Sequence, residues 1–416
     1  MRRLRIAIVS QYYPPEIGAP QARVLETARA FARRGHRVTV LTGLPNHPTG
    51  VVPPRWRSRL AADEREPGIR VRRGWLAATR NRGALRRTLA HLTCALSSFV
   101  RGLGGSGGAD VFLATSPPLF TGLAGWALAR IHRRPFVLDV RDLWPDAFVD
   151  LGLAREGRVV AAFRRLERFL YRRADHVVPV TEAFSTRIGE TGVEPGRRTV
   201  VRNGVDLSRF DPAADPLPAK RALGLEGRFV VLYLGAHGVA HGLEALVPAA
   251  ASAGRHVTFL FVGEGAEKER VVAAAKAAGG DVRFRDGVRR ESVPALYAAA
   301  DVCLVSLRPT PLMESFLPSK AFEAFGAGRP VVAAVAGEAR ALLEAGPGAI
   351  VVPPGDAKAL AAAIARLAAD PEKTRALGRR ARARAEAEFD RDALARVYLG
   401  ILSSVVERAR RRRRGA

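Results

Sequence analysis

The regular alternation of short apolar runs with helical patterns constrains the fold of this chain more than any other feature. Several of the runs are apolar over nearly their whole length, which is typical of parallel strands covered on both faces. The segments between them have helical spacing, so the βαβ organisation predicts an α/β fold with doubly wound sheets. Strands are predicted at residues 4–10, 37–43, 69–75, 110–116, 136–142, 176–181, 199–202, 229–235, 257–263, 282–285, 301–307, 330–336 and 349–352.

The length of the chain, 416 residues, is too great for one ordinary core and sufficient for two domains. The alternation pauses at residues 203–218, where turn formers and prolines dominate, so we expect the linker there. We therefore predict two Rossmann-like domains, 1–205 and 206–386, which face each other across a cleft, and a C-terminal helix and basic tail at 387–416. Helices are predicted at residues 21–34, 86–103, 159–173, 242–253, 266–278, 293–299 and 357–368.

The two cysteines and the most apolar stretch bear on the cellular compartment. Cys94 and Cys303 lie in apolar runs and outside any CxxC motif, so we expect buried, reduced side chains in a cytosolic protein. The N-terminal apolar run is too short for a signal peptide and predicts a first strand. Residues 111–131 are apolar, but Pro117 and Pro118 interrupt them, which favours a strand, a turn and a helix over a membrane span.

The formal net charge is +27, and arginine supplies most of the basic residues. One explanation is a compositional bias, since alanine is abundant as well. A second is attraction to anionic lipid headgroups or acidic substrates. A third is nucleic-acid binding, which is less favoured because no nucleic-acid motif accompanies the charge.

The run LPSKAFEAFGAGRPVV, residues 317–332, is the most informative single stretch. Ser319 and Lys320 open a short helix predicted to be amphipathic, and a Gly-x-Gly-x-Pro turn and an apolar strand follow. Backbone N–H groups at a helix start suit a diphosphate, and Lys320 adds a point charge there. Glu323 lies one turn further on, where a carboxylate can hold a ribose diol. One element could grip both ends of a nucleotide diphosphate, which indicates a nucleotide-sugar enzyme.

Two more glycine-rich loops follow predicted strands of the second half. The segment GAHGVAHG contains His237 and Gly238, and its glycines allow backbone amides to approach a ligand and form an anion nest. The segment FLFVGEGAEK has a Gly-x-Gly turn at Gly263. A lone turn of this kind is a weak signal, but its repetition within one domain is stronger. No carboxylate cluster completes a zinc set with the histidines, so no metal is predicted.

The first half lacks the G-x-G-x-x-G fingerprint of dinucleotide binding after its first strand. A Pro-Pro loop leads instead to Gly18, which either permits close approach of a ligand or belongs to an ordinary βα loop. Thr115 and Ser116 end the fourth predicted strand before two prolines. Their hydroxyls either donate to a ligand or form part of a plain turn.

Two further loops of the first half carry polar side chains. Arg141 and Asp142 leave a buried strand, either as partners for a sugar hydroxyl or as a surface salt bridge. The loop at 43–57 is rich in proline and glycine and contains His47. It suits a lipid headgroup or sugar acceptor, with a solvated loop as the alternative.

Taken together, these motifs resemble glycosyltransferase family 4, the retaining nucleotide-sugar transferases of GT-B fold, over nearly the whole chain. The second half matches the family's order in VLYLG, GLEAL, FVGEG, VRFRDGV, ALYAAADVCLV and FEAFGAGRPVV. The first half is similar to a bacterial branch that includes N-acetyl-fucosamine transferases of O-antigen and capsule synthesis. That similarity rests on SQYYPPEIGAPQAR, LTGLPNHPTG, TSPPLF and VRDLWPD.

The resemblance implies roles for particular residues. The second Glu of the family's paired-Glu pattern binds the ribose, and Glu323 matches it. Glu314 is the nearest acid to the first Glu, although eight residues separate it from Glu323 where the family has seven. The family's Arg and Lys after the first strand of the second half are absent, so Lys320 is the candidate replacement. Arg141–Asp142 stands where many members have His-Asp, and Gly18 is followed by Ala where the family has a second Gly.

The implied reaction is a front-face substitution with retention, without metal or other cofactor, in which the leaving diphosphate helps deprotonate the acceptor hydroxyl. The predicted catalytic residues are Lys320, Asp142 and Arg141. The predicted donor-binding residues are Gly18, His237, Gly238, Gly263, Glu314, Ser319, Lys320 and Glu323. The predicted acceptor-binding residues are His47, Thr115 and Ser116.

The predicted activity is transfer of a hexose or aminohexose from a nucleotide diphosphate sugar, with UDP preferred, to a lipid-linked sugar or polysaccharide precursor. Basic helices around 82–101 and 164–173 suggest an anionic membrane partner, hence a cytoplasmic, peripheral location at the inner membrane face. Three alternatives stay open at this point: a nucleotide-sugar 2-epimerase of GT-B fold, a basic nucleic-acid-binding protein, and an inactive scaffold.

Overall fold

The computed structural model describes residues 2–16, 18–47, 49–79, 84–106 and 108–414, and it divides into two compact units. The first unit comprises Met1–Arg202 and Asp392–Ala416, and the second comprises Asn203–Arg391. The proline-rich segment predicted as a linker, 203–218, begins at the division and belongs to the second unit.

The first unit is built on a seven-stranded sheet in the order β3-β4-β2-β1-β5-β6-β7. Every neighbouring pair is parallel except β3 and β4. The strands are β1 (Arg5–Val9), β2 (Arg37–Gly43), β3 (Ala61–Glu66), β4 (Ile69–Gly74), β5 (Val111–Ser116), β6 (Phe136–Val140) and β7 (His176–Pro179). The helices are α1 (Ala19–Arg33), α2 (Ala84–Leu103), α3 (Leu119–Ile131), α4 (Asp146–Asp150), α5 (Arg158–Arg173) and α6 (Glu182–Glu190).

The second unit has a six-stranded, all-parallel sheet in the order β10-β9-β8-β11-β12-β13. Its strands are β8 (Phe229–Leu234), β9 (Val257–Val262), β10 (Val282–Arg285), β11 (Val302–Ser306), β12 (Val331–Ala334) and β13 (Ala349–Val352). Its helices are α7 (Pro216–Leu223), α8 (Ala249–Ser252), α9 (Lys268–Ala278), α10 (Val293–Ala299), α11 (Lys320–Gly326), α12 (Gly337–Glu344), α13 (Ala357–Ala369) and α14 (Pro371–Arg384).

Burial of the strands on both faces of the sheets explains why parallel sheets could be predicted from the sequence. All residues of β5, β6 and β9 are buried, so their apolar runs have no solvated face. The predicted α/β class with two doubly wound sheets is confirmed. In each sheet the chain starts near the middle, runs to one edge and then returns, which places a topological switch point between β1 and β5 and another between β8 and β11.

The last helix, α15 (Arg391–Arg414), was predicted as part of a separate C-terminal segment but packs into the first unit. Its apolar side chains join the core formed by β1, β2 and α1, and Asp392 bonds Arg34 at 2.5 Å. Arg410 pairs with Asp110 at 2.8 Å. An apolar stripe on the helix makes this packing favourable, and the basic residues predicted as a tail continue the same helix up to Arg414. The buried side chains are Ala395, Tyr398, Leu399, Leu402, Val405 and Val406.

Two element predictions were wrong, and one strand was missed. Residues 199–202 form no strand, because only Thr199 and Val201 bond the neighbouring backbone of β7 before the chain leaves the sheet. The helix predicted at 242–253 is a 3₁₀ turn, Leu243–Ala245, followed by the single turn of α8. Strand β3 was not predicted, since its sequence AADERE is mostly charged and pairs only along one edge of the sheet.

The apolar stretch at 111–131 forms β5 and α3, as predicted. Among the described residues, no helix is long and apolar enough to cross a bilayer. Cys94 and Cys303 are both free and buried, also as predicted.

Candidate functional site

The candidate site of the second unit lies at the carboxyl ends of β8 and β11, where open α/β sheets bind their ligands. The loop after β8 is tied to the end of β11 by three hydrogen bonds. The Nδ1 of His241 lies 3.2 Å from the carbonyl of Ser306, whose hydroxyl donates to the His241 carbonyl at 2.5 Å. The N–H of Arg308 donates to Ala240 at 2.8 Å. The two strand ends therefore form one continuous rim.

Lys320 lies on this rim as the first residue of α11. Its Nζ donates to the Tyr233 hydroxyl at 2.7 Å and lies 3.9 Å from the centroid of the same ring. A Cβ placed on Gly235 would be 3.2 Å from this Nζ. Lys320 is half-buried, and desolvation by the surrounding protein lowers its pKa to about 7. A nearby anion would restore the charged form, so the site is suited to a phosphate.

The glycines of the loops after β8 and β9 have a structural role in packing the two loops together. The sequence analysis had considered only a role in ligand binding. Gly263 has φ 149°, and a Cβ there would lie 1.9 Å from the carbonyl oxygen of Gly235. The N–H of His237 donates to Glu264, and that of Glu267 donates to His237, both at 2.9 Å. The loops after β8 and β9 are thus packed backbone against backbone. By contrast, nothing lies within 4 Å of a Cβ placed on Gly238, so there is free space beside this residue.

His237 is fully buried beneath these loops. Its ring lies 5.7 Å from that of Tyr233, 6.2 Å from Phe261 and 6.4 Å from Phe284, measured between centroids. Neither ring nitrogen has a hydrogen-bond partner among the described residues. Burial, assisted by Lys268 and Lys320, lowers the pKa of His237 to about 4. A neutral imidazole with unused hydrogen-bonding capacity is therefore held next to the glycine loops.

Glu323 lies one turn after Lys320, as predicted, and a tyrosine is hydrogen-bonded to it. The Tyr297 hydroxyl donates to Oε2 of Glu323 at 3.1 Å. Burial raises the pKa of this carboxyl, while Tyr297, Arg209, Arg290 and Lys320 act in the opposite direction. Helix α11 is also not amphipathic, because most of its residues lie in the core. The buried residues are Ala321, Phe322, Ala324, Phe325 and Gly326.

Two other predicted donor residues flank α11. Ser319 precedes the helix, and its side chain makes no capping hydrogen bond. Glu314 is exposed in a 3₁₀ turn, Met313–Ser315. A Cβ on Gly337 would lie 2.1 Å from the Glu314 carbonyl oxygen, so this turn is pressed against the start of α12. The donor roles of both residues stay predictions.

In the first unit, Glu16 is a functional candidate that the sequence analysis missed. Its carboxylate accepts backbone N–H groups from Tyr13 at 3.2 Å, Asn46 at 2.8 Å and His47 at 2.9 Å. It thereby joins the loop after β1 to the loop after β2. Burial raises its pKa to about 7 in spite of these three bonds. The one available signal was a lone carboxylate in a loop of prolines and aromatic residues.

The predicted acceptor residues are more enclosed than expected. The rings of His47 and Tyr12 lie 5.0 Å apart, and burial lowers the pKa of His47. Thr115 and Ser116 are both buried. The Thr115 hydroxyl faces that of Ser10 at 3.4 Å, across the switch point between β1 and β5. Acceptor binding by these side chains stays a prediction.

Gly18, predicted to bind the donor, is the residue that precedes α1. It has φ 152°, and a Cβ on it would lie 2.6 Å from the side-chain oxygen of Gln21. The backbone conformation favours glycine here, whereas the Gln21 side chain could move aside. Its role in donor binding stays a prediction.

Arg141 and Asp142, the predicted catalytic pair, have different surroundings. Arg141 donates to Asp139 at 2.7 Å, and Arg23 reaches the same carboxylate at 3.1 Å. This buried cluster connects α1 to β6. The ion pair with Asp139 is the simplest explanation for an arginine at position 141. Asp142 has a buried Oδ1 without a hydrogen-bond partner among the described residues, and burial raises its pKa to about 7. Asp142 is therefore the member of the pair with capacity left for a ligand.

No group of three or more His, Cys, Asp or Glu side chains is arranged to hold a metal ion in the described part of the chain.

Two families match the sequence, one in each half. Residues 18–204 match the family described as "Glycosyl transferase 4-like domain". Residues 228–370 match the family described as "Glycosyl transferases group 1".

Known proteins resemble the chain over most of its length. The 2-deoxystreptamine glucosyltransferase of Streptomyces kanamyceticus is 30% identical over 368 residues, which cover 84% of this chain and 90% of that protein. A protein of Escherichia coli named as a colanic acid biosynthesis glycosyl transferase is 27% identical over 376 residues, covering 87% and 91%. These relatives are transferases, so the epimerase and nucleic-acid alternatives are not favoured.

Solved structures establish the GT-B fold. Sucrose-phosphate synthase from Thermosynechococcus elongatus aligns with a TM-score of 0.76 at 24% identity, over 98% of this chain and 100% of that one. The Anabaena protein HepE, in complex with UDP-glucose, aligns with a TM-score of 0.71 at 22% identity, over 97% and 100%. With its two family domains and its transferase relatives, the chain belongs to the GT-B glycosyltransferases that combine a glycosyl transferase 4-like domain with a glycosyl transferases group 1 domain.

Proposed function

We propose that this glycosyltransferase moves a hexose or aminohexose from a nucleoside diphosphate sugar, with UDP the preferred nucleotide, onto a lipid-linked sugar or polysaccharide precursor, with retention. The observation that carries the proposal is the position of Lys320. Its ammonium lies at the switch point between β8 and β11, beside Gly235 and one helical turn before Glu323. Ligands of open α/β sheets bind at such points.

In the proposed reaction, the bond between the sugar C1 and the diphosphate oxygen breaks first. The acceptor hydroxyl oxygen then bonds C1 from the same face, and its proton passes to an oxygen of the departing diphosphate. Lys320 and the open backbone around Gly238 stabilise the negative charge that develops on the leaving group. His237 supplies a neutral hydrogen-bonding group, since its pKa of about 4 keeps it uncharged. No metal or other cofactor takes part in this scheme.

Glu323 is the proposed ribose ligand. Tyr297 holds Oε2 at 3.1 Å and so orients the carboxylate. Asp142 is the proposed contact for a sugar hydroxyl, because its Oδ1 is buried and lacks a partner among the described residues. Arg141 keeps a supporting role through its ion pair with Asp139.

The nucleotide and the acceptor are proposed from the relatives and from charge. HepE has been crystallised with UDP and with UDP-glucose, which supports UDP as the first nucleotide to test. The Escherichia coli relative is named for colanic acid biosynthesis, which supports a cell-envelope polysaccharide, such as an exopolysaccharide or O-antigen, as the product. The net charge of +27 supports a peripheral position on the anionic inner face of the cytoplasmic membrane.

A thermal-shift screen against UDP, GDP, ADP and their common sugars, without added metal, tests the donor site. A ligand that binds the native state raises the unfolding temperature by mass action. We expect one nucleotide to give a clear shift that Glu323→Ala abolishes and that Glu291→Ala, a change at an exposed glutamate, retains. No shift with any of these compounds would overturn the proposed donor class.

The stereochemistry of transfer is a separate test. When the donor is α-linked, retention predicts an α-linked product, which the proton NMR signal of the new anomeric centre identifies. A β-linked product would contradict the front-face reaction while leaving the donor site in place.

A further inference from the structure

Helix α2 has an apolar outer surface that nothing in the described structure covers. Five of its side chains point outward, and each residue is between 41% and 61% exposed. Their spacing of three and four residues places them in one stripe, about 21 Å long at 1.5 Å per residue. The outward face of a surface helix is normally polar. The stripe consists of Leu89, Leu92, Leu96, Val100 and Leu103.

The stripe is not needed to attach the helix to its unit, because the opposite face does that. Cys94 and Ser98 are buried, and a Cβ on Gly43 of β2 would lie 2.9 Å from the Cys94 sulfur. A Cβ on Gly102 would lie 2.5 Å from Leu128 of α3. The helix is therefore apolar on both long faces, and the outer one is available to a partner.

Helix α3, which packs beside α2, carries one more exposed apolar side chain. Ile131 follows Leu128 by three residues on the same helix and is 55% exposed. Because Leu128 lies against Gly102, Ile131 belongs to the helix that packs beside α2. We call the stripe together with Ile131 the α2 surface.

The charged side chains that α2 and α3 themselves carry are all basic. The sequences of α2 and α3 contain no Asp or Glu, and they carry Arg86, Arg87, Arg101 and Arg130. Arg101 pairs with Asp63. Arg86 and Arg87 are exposed and make no ion pair within the described part of the chain. An apolar surface with basic residues at its ends fits the interface of an anionic bilayer.

The same charge argues against a second copy of this chain as the partner, since each copy has a formal net charge of +27. The other basic helix of this unit, α5, differs from α2 in its exposed side chains. On α5, Arg164 is already paired with Asp146 at 2.6 Å and Glu156 at 2.7 Å. Of the exposed large apolar side chains in the described part of the chain, one, Val159, belongs to α5, so that helix has no apolar stripe like the one on α2.

We propose that the α2 surface lies in the headgroup region of an anionic membrane, with its leucines in the acyl boundary and Arg86 and Arg87 at lipid phosphates. The inference rests on the proposed membrane location but not on the transfer reaction. Flotation with vesicles of phosphatidylcholine, with and without phosphatidylglycerol, measures the binding. We expect the protein to bind only the anionic vesicles, and more weakly as salt rises.

Paired variants assign the binding to the α2 surface. Leu92→Ser with Leu96→Ser should weaken vesicle binding by about tenfold per leucine. Arg86→Ala with Arg87→Ala should weaken it mainly at low salt. The matched control, Leu217→Ser with Val397→Ser, changes two apolar residues of similar exposure elsewhere and should bind as the unchanged protein does. Donor affinity should be the same in all of these variants.

The outcomes separate this inference from the proposed function. If the unchanged protein binds anionic vesicles and the leucine variant binds them equally well, the α2 surface is not the contact, and the membrane location stands. If the unchanged protein does not bind anionic vesicles, both the location and the inference fail. A concentration-dependent dimer that the leucine variant abolishes, without vesicle binding, would assign the stripe to a second copy and overturn the inference.

Discussion

The two units share a sheet topology around a switch point, but they fill the loops at that point with opposite chemistry. In the second unit, Gly235 and Gly263 let two loops pack backbone against backbone, and Gly238 stays open. In the first unit, side chains close the equivalent loops. Glu16 binds three backbone N–H groups, and Thr115 faces Ser10.

The difference indicates how one architecture can serve two binding tasks. Glycine loops present backbone amides and leave space, which suits a diphosphate that must approach closely. Loops held by a carboxylate and aromatic rings present fixed side-chain surfaces, which suit discrimination between acceptors. The fold thus supplies strand ends in both units, and the loop residues determine the chemistry.

The largest effect that the comparison predicts is at Lys320, the cation of the glycine-loop site. Lys320→Ala should lower kcat by about 10²–10³, by analogy with the loss of one donor to a developing oxyanion. The control is Lys276→Ala, which removes an exposed lysine of α9 from the same unit. Steady-state kinetics with matched thermal unfolding curves makes the measurement. Near-normal turnover in Lys320→Ala would contradict the proposed role of Lys320 in stabilising the leaving group.

The next prediction compares two glycines of the second unit. Gly263 is needed for packing of the loops, whereas Gly238 is proposed to lie next to the ligand. Gly263→Ala should destabilise the second unit by about 3 kcal/mol, because it combines a strained backbone with an overpacked contact to Gly235. Gly238→Ala should leave the unfolding curve unchanged, since its Cβ would meet nothing within 4 Å. Donor affinity should then fall modestly, through contact of the new methyl group with the ligand. Equal stability of the two variants would show that the loops are not packed as described.

The smallest effect concerns the carboxylate of the first unit. Glu16→Ala should cost about 1–3 kcal/mol of stability, because buried backbone donors lose their acceptor. It should raise the acceptor KM and leave donor affinity unchanged. An altered donor affinity with a normal acceptor KM would reverse the assignment of the two units.

The pH dependence of Glu16 has a definite sign. Its pKa is raised from 4.5 to about 7 on folding, so the folded state holds the proton more tightly than the unfolded state does. Its contribution to stability is therefore greatest below pH 4.5 and is lost as the pH rises towards 7. Urea unfolding across this range should show that decline for the natural protein and a weaker one for Glu16→Gln. Parallel profiles for the two proteins would contradict the raised pKa.

Most of the fold could be predicted from the sequence because parallel strands buried on both faces are continuously apolar. The boundaries of β2, β10 and β13 match their predicted ranges. The predictions failed where the pattern of side chains does not reflect the backbone structure. Strand β3 is charged because it pairs at an edge of its sheet, and residues 199–202 look like a strand although they leave the sheet.

The candidate site could be predicted only in part. Lys320 and Glu323 were found because one short motif contains both. Glu16 was missed because its partners Asn46 and His47 lie about thirty residues away, and no local pattern brings them together. The involvement of Arg141 with Asp139 and Arg23 was likewise invisible, since α1 and β6 meet only in the folded unit.

The account's central claim, that Lys320 binds the diphosphate, is tested most directly by calorimetry of UDP-glucose binding as a function of pH. The free protein holds Lys320 at a pKa of about 7, and a bound diphosphate should raise that pKa. Affinity should therefore be constant below about pH 7 and fall about tenfold per unit above it. Lys320→Met should bind more weakly and lose this slope. An affinity that is flat from acid to alkaline pH, or equal in Lys320→Met, would contradict the claim.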